Sequence, residues 1–265
     1  MIDWDDAFDN SGYVLEASEI GAAWVAEAEE FRAKHPNANL EQQYGSGDRE
    51  SFDLFLPGGS PKGSVVFVHG GYWYLRAKSD WSHFANGFLS YGWAVAIVGY
   101  PLAPAVRISQ ITQSIAAAVA EVAETIVGPL RLVGHSAGGH LVSRVMCQGV
   151  LPDDLIARVQ RFVSVSGVHD LRPLVGTQMN DTLGLTEAEA FTESPALLKP
   201  ADVPVTFWVG ADERPEFLRQ NRLIAEAWGL KGADVSTVYQ PAKNHFTVIN
   251  GLADAHSALV AEVLR

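Results

Sequence analysis

From residue 64 onward, short apolar runs alternate with stretches whose apolar residues recur at helical spacing. Residues 64–68, 93–98, 130–133, 161–165, 203–209 and 235–239 read as buried strands, each too short for a helix and most of them rich in valine and isoleucine. Between them, residues 79–91 and the stripe Ile111, Ile115, Val119, Val122 and Ile126 predict helices, and a last helix is expected over 246–264. Such alternation predicts an α/β fold: a mostly parallel central sheet of about eight strands, with helices on both faces. Upstream, Trp24, Val25, Ala28 and Phe31 among glutamates predict an amphipathic helix over 20–34 with a structural role. Residues 40–44 and 50–56 flank Gly45-Ser46-Gly47-Asp48 as an antiparallel edge hairpin. The pattern weakens between Ser166 and Asp202. A single domain over residues 1–265 is expected, with about 167–202 as a small cap insertion at the C-terminal edge of the sheet, shaping a substrate pocket.

The strand at 130–133 runs directly into Gly134-His135-Ser136-Ala137-Gly138 and then into a helix-forming segment. A strand that turns this sharply leaves no room for side chains two residues before and after the apex, which is why glycine flanks the serine in the G-x-S-x-G elbow. The hydroxyl of Ser136 then stands over a helix N-terminus, where amide N–H groups and the helix dipole favour a developing negative charge. By itself the pattern also fits a glycine-rich turn carrying a solvated serine. The strand before it and the helix after it favour an acyl-transfer nucleophile.

Composition narrows the options. The 265 residues carry 19 Lys+Arg against 31 Asp+Glu, a net charge of −12 with no basic run, so no nucleic-acid partner is expected. Cys147 is the only cysteine, which rules out an internal disulfide and a thiolate metal cluster and fits a reducing compartment. The first ten residues, MIDWDDAFDN, are acidic and lack the apolar core of an export signal, so a cytoplasmic protein is expected. Residues 81–106 form the longest uncharged stretch, but Asn86, Gly87, Gly92, Gly99, Pro101 and Pro104 interrupt it, and no membrane association is read there.

A serine hydroxyl needs a base to take its proton and a carboxylate to orient that base. Of eight histidines, only His245 and His256 follow the last strand; His245 lies in the loop directly behind it and is the candidate base. His256 is read as a packed residue of the last helix, and His135 and His140 as packing residues beside the elbow. His169, bordering the insertion, is a weaker candidate for substrate contact. The acid is expected just after the strand at 203–209, where Asp212 and Glu213 are adjacent; the spacing favours Glu213, with Asp212 as the alternative. Oxyanion donors are expected from the amides of Ala137, next to the serine, and of Gly71 and Tyr72 in His69-Gly70-Gly71-Tyr72. The rings of Tyr72, Trp73 and Trp81 would suit an aromatic or acyl group, and Trp73 is the candidate substrate contact.

HGGYW at residues 69–73, GHSAGGH at 134–140, SGVHDLRPL at 166–174, ERPEFLRQ at 213–220 and NHF at 244–246 together resemble the α/β-hydrolase superfamily. Within it, the chain looks like the arylformamidase (kynurenine formamidase) and related esterase group, over most of its length from about residue 40. The resemblance implies Ser136 as nucleophile, His245 as base and Glu213 as acid, with no cofactor and no metal. The animal formamidases have aspartate as the acid, so this sequence differs there by one methylene and Asp212 stays as the alternative. N-formylkynurenine or small aryl or alkyl esters are the substrates the resemblance implies.

Three readings compete. The first is a cofactor-independent serine hydrolase acting on a small carboxylic ester or N-formyl aryl amide through an acyl-enzyme. The second is a thioesterase or lipase taking longer acyl chains. The third is a non-catalytic binder that keeps the fold and the pocket; such proteins usually lose a member of the triad, whereas all three roles are filled here.

Overall fold

The computed structural model describes residues 2–265. Eight strands form one sheet in the order β1-β2-β4-β3-β5-β6-β7-β8, where β1 is Asn39–Gln43, β2 Ser51–Phe55, β3 Ser64–Val68, β4 Ala94–Val98, β5 Leu130–His135, β6 Val159–Val165, β7 Val205–Gly210 and β8 Val235–Gln240. β1 pairs with β2, and β2 with β4, antiparallel; every other pairing is parallel. β3, β4 and β5 are buried along their whole length because helices cover both faces of the sheet, which explains their unbroken apolar runs.

Alternate residues of the strands feed two separate cores. Val66, Val68, Leu132 and Phe162 face one side, against Ile111, Ile115 and Val119 of helix Ile108–Thr125, Leu141 of helix Ala137–Val145, and Phe217, Ile224 and Trp228 of helix Pro215–Gly229. Val65, Phe67, Val133 and Val163 face the other, against Trp24 and Phe31 of helix Ala17–Lys34, Trp81 and Phe84 of the 3-10 segment Lys78–Ala85, and Leu259, Val260 and Val263 of helix Ala258–Leu264. No helix among the described residues is long and apolar enough to cross a membrane.

Two expected helices are divided. The one expected over 79–91 is a 3-10 turn, Lys78–Ala85, followed by a short helix, Asn86–Leu89. Gly87 explains the close packing there, since a Cβ on it would lie 2.3 Å from the Leu252 carbonyl. The C-terminal helix expected over 246–264 is a 3-10 segment, Thr247–Ala253, then a turn, then Ala258–Leu264 with Ser257 accepting the Val260 amide as N-cap. His256 therefore sits exposed in the turn rather than packed on a helix. Residues 167–202 form short helical turns docked on neighbouring helices: Glu189 accepts from Ser109 and Arg107, and Glu193 from Thr112 and Arg144.

Four fully buried histidines lie under the C-terminal edge of the sheet: His69, His135, His140 and His169. Their hydrogen bonds suit the neutral ring. His69 Nδ1 bonds the Gly70 carbonyl at 2.6 Å, and His135 Nε2 bonds that of His245 at 2.8 Å. His140 Nε2 bonds the Glu193 carbonyl at 2.8 Å while its Nδ1 accepts the Trp73 indole N–H at 3.1 Å, which a proton on Nδ1 would expel. Burial lowers the pKa of His69 and of His140 to about 3, and pushes those of His135 and His169 well below the ordinary imidazole value.

The unfolded chain takes up these protons near pH 6.5 and the folded chain refuses them, so stability is full above that pH and falls as acid is added. Urea midpoints measured downward from neutral pH are expected to drop below about pH 6.5, by up to about 1.4 kcal/mol per pH unit for each of these imidazoles. In the first core, Trp228 is fully buried against Phe162 and Phe207 and donates to the Pro195 carbonyl at 2.9 Å. Trp228→Ala is expected to lose about 3–5 kcal/mol in the same urea experiment.

Candidate active site

β5 ends at His135, and the chain reverses into helix Ala137–Val145 through Ser136, whose backbone sits at φ 55° and ψ −117°. The two flanking glycines are sterically required. A Cβ on Gly134 would lie 2.2 Å from the Gly138 carbonyl oxygen, and one on Gly138 would lie 2.0 Å from that of Val68. Among the described residues, six of the seven non-glycine positions at positive φ lie in loops around this corner: Tyr72, Trp73, Arg76, Ser136, Ser166 and Ala242. Strain of that kind persists only where the surroundings over-determine it, and it concentrates at functional sites.

His245 follows β8 and reaches the corner from the far edge of the sheet. Its Nε2 lies 3.0 Å from Ser136 Oγ and its Nδ1 lies 2.7 Å from Glu213 Oε2. Glu213 follows β7, and its side chain is fully buried. Its second oxygen, Oε1, accepts from the Gly210 amide at 2.8 Å and from Ser166 Oγ at 2.5 Å, so both carboxylate oxygens are occupied. Asp212 is exposed, and its amide donates to the Lys243 carbonyl at 3.0 Å. Of the two adjacent carboxylates, Glu213 is thus the one in contact with His245. The imidazole is further boxed in by Phe217 and His135, with ring centroids 4.5 and 4.8 Å away.

The loop after β3 supplies the other wall. Gly71 adopts φ +119°, and a Cβ there would strike the Leu75 carbonyl at 2.3 Å. The Gly71 carbonyl is tied back by the amides of Tyr74 and Leu75, and among the described residues the amides of Gly71, Tyr72 and Ala137 have no hydrogen-bond acceptor. Gly70 permits the close approach, since a Cβ on it would meet Ser136 Cβ at 3.1 Å.

Beside Ser136 lies a cleft of about 80 Å³ lined by Ser11, Trp24, Gly71, Tyr72, Leu75, Arg76, Trp81, His135, His245 and Phe246. Burial holds the Tyr72 phenol above its ordinary pKa, so it stays protonated at neutral pH. Trp73, the expected substrate contact, is not among the lining residues: it is buried in the first core with its indole bonded to His140. Trp73 turns into the protein, while its neighbour Tyr72, also at positive φ, and Trp81 line the cleft. His169, also considered for substrate contact, is fully buried and bonded through its amide to Gln220.

Residues 167–202, expected as a cap, do not line the cleft itself, but Gln178 and Met179 border the adjoining groove that shares Ser11, Tyr72 and Leu75 with it. The roof comes instead from the N-terminal segment, where Ser11 and Trp24 border the cleft. Trp24 donates to Asn250 at 2.8 Å and packs on Trp81 with ring centroids 4.8 Å apart. Arg214, next to Glu213, pairs with Asp6 at 2.9 Å and bonds the Asp9 carbonyl at 2.6 Å, which ties this roof to the strand edge. Ser11, Arg76 and Ser166 were not singled out from sequence. A lone serine or arginine in a loop carries no pattern, and Ser166 is visible there only as the first residue of the SGVHDLRPL stretch.

Comparison with known proteins agrees with this architecture. A family described as alpha/beta hydrolase fold matches residues 65–209. The kynurenine formamidase of Danio rerio is 29% identical over 238 residues, covering 85% of this chain and 80% of that protein. That of Salmo salar is 28% identical over 239 residues, covering 85% and 81%. The crystal structure of a putative thioesterase from Silicibacter sp. superposes with a TM-score of 0.94 at 47% identity over 100% of both chains. Esterase B of Lactobacillus rhamnosis shares the fold at a TM-score of 0.68 and 18% identity, covering 93% of this chain and 91% of that one. With more than half of its length matched by the family and its sheet ordered as described, the chain belongs to the α/β-hydrolase-fold family and is a hydrolase.

Proposed function

We propose that this hydrolase cleaves small carboxylic esters or N-formyl aryl amides through an acyl-enzyme formed on Ser136. The observation that carries the reading is the unbroken hydrogen-bond chain Ser136 Oγ, His245, Glu213, beside amides with no acceptor. In this scheme His245 Nε2 takes the hydroxyl proton as Oγ attacks the carbonyl carbon. The charge that develops on the carbonyl oxygen is met by the N–H groups of Gly71, Tyr72 and Ala137. His245 then returns the proton to the departing alcohol or amine, and a water activated by the same imidazole releases the acid. Glu213 holds Nδ1–H and so fixes the tautomer that leaves Nε2 free to accept; Ser166 and the Gly210 amide hold Glu213 in turn.

The size of the cleft supports a short acyl group. Its 80 Å³ is well below the roughly 300–1,000 Å³ typical of ligand pockets. Trp24, Tyr72, Trp81 and Phe246 suit an aryl moiety, in keeping with the formamidase relatives. The 47% identical structure is described as a putative thioesterase, which favours acyl thioesters as the second reading. A long acyl chain would have to leave the cleft for the adjoining groove that shares Ser11, Tyr72 and Leu75 with it.

The purified protein is expected to hydrolyse short p-nitrophenyl esters and N-formylkynurenine faster than long-chain p-nitrophenyl esters or acyl thioesters. Faster turnover of the long chains would favour the lipase or thioesterase reading. A fluorophosphonate probe is expected to label Ser136, and failure to label would favour the binding-protein reading. Ser136→Ala and Glu213→Gln are each expected to lower kcat by about 10⁴-fold or more, with Asp212→Asn within about 2-fold of wild type. Loss of turnover in the Asp212 variant alone would reassign the acid.

A further inference from the structure

We infer that Arg76 selects substrates bearing a carboxylate or similar anionic group, a specificity role that rests on the proposed ester or amide hydrolysis at Ser136. Arg76 is half-buried and lines the cleft together with Ser136 and His245. Its stem packs on the turn that carries the expected oxyanion donors, Arg76 Cγ lying 3.0 Å from where a Gly71 Cβ would be. Its guanidinium reaches helix Ala17–Lys34, Nη2 lying 2.5 Å from where a Gly21 Cβ would be. The side chain thus spans the wall of the cleft from the loop after β3 to the N-terminal helix.

Other arginines in this region are engaged. Arg49 bonds the carbonyls of Tyr100 and Arg76, Arg32 bonds Ser82 Oγ, and Arg214 pairs with Asp6. Among the described residues, the Arg76 guanidinium has neither a carboxylate within 4.0 Å nor a hydrogen-bond acceptor. Its backbone is nonetheless fixed, at φ 75° and with its carbonyl held by Arg49. A guanidinium presents a planar fork of donors that matches a carboxylate bidentately. Here that fork is held in place, unpaired, in the same cleft as the serine.

Gly21 is the second, independent sign. It is a buried glycine in the interior of an 18-residue helix, where glycine is unfavourable, and the space its missing side chain leaves is taken by the Arg76 guanidinium. Three carboxylates of the N-terminal segment are engaged away from Arg76, Asp5 with the Gln178 amide, Asp6 with Arg214 and Asp9 with the Gly12 amide. With a net charge of −12 the protein's overall field repels anions, so a preference for them has to come from a local contact.

The test compares 3- and 4-acetoxybenzoate with the corresponding neutral acetoxybenzamides, each kcat/KM divided by the hydroxide-catalysed rate. Wild type is expected to prefer at least one benzoate by about 10-fold or more, the scale of one charge-assisted hydrogen-bonded contact. In Arg76→Gln that ratio is expected to fall to about one, mainly through KM, and Arg76→Lys to keep part of it. Gly21→Ala keeps the charge but puts a methyl where the guanidinium end lies, and it is expected to reduce the ratio as well. A wild-type ratio at or below one, or an Arg76→Gln loss shared equally by both substrates, would overturn the inference. Turnover of the benzamides without anion preference removes this inference alone; turnover of neither series, nor of p-nitrophenyl esters, removes the hydrolase reading beneath it.

Discussion

The close approach of backbone to backbone at the end of β5 is the constraint on which the site depends. Ser136 is held in a conformation that side-chain-bearing residues avoid, and it is held there because Gly134 and Gly138 let carbonyls come within distances no Cβ permits. The Ser136 amide bonds the Val165 carbonyl and its carbonyl accepts the His140 amide, so the apex is tied on both sides, to β6 and to its own helix. The packing of the fully buried parallel strands at the centre of the sheet supplies the energy that keeps it so. The serine is therefore positioned by the core and not by any contact of its own side chain.

The polar groups around that apex follow the same logic. Glu213 is buried with no lysine or arginine within 4.0 Å among the described residues, which is tolerable only because His245 bonds one of its oxygens and a hydroxyl and an amide satisfy the other. The neighbouring histidines are neutral spacers that hydrogen-bond backbone carbonyls of the very loops that carry the site: His69 to Gly70, His135 to His245. Loops that would otherwise be free are thereby fastened to the sheet, and in exchange the fold tolerates acid poorly.

The sheet was legible because its strands are buried on both faces and read as continuous apolar runs; β3 has the limits expected for it. Ser136, His245 and Glu213 were legible because each sits immediately behind such a run, where chain order limits the choices. Helix Pro215–Gly229 passed unnamed, its buried Gln220 and Asn221 blurring the apolar stripe. The split of the C-terminal segment was signalled by Asn250-Gly251 and Ser257 but outweighed by the apolar residues around them. Trp73 illustrates a different limit. Tyr72 and Trp73 share a positive φ, yet one ring lines the cleft and the other enters the core, where His140 takes its indole N–H; such a choice is set by tertiary partners that sequence does not display. The part played by the N-terminal helix is hidden for a related reason: an amphipathic pattern shows that one face is covered, but not that Trp24 on it also borders a cleft.

That roof links distant parts of the polymer. Trp24 and Asn250, joined by one hydrogen bond, are separated by 226 positions, and Trp24 also lies against Phe246, the neighbour of His245. Helix Ala17–Lys34 thereby ties the start of the polymer to the segments after β3 and after β8 that border the serine. A chain with its sheet formed but this early segment undocked would leave Ser136 and His245 open to bulk water on the side where Trp24 stands.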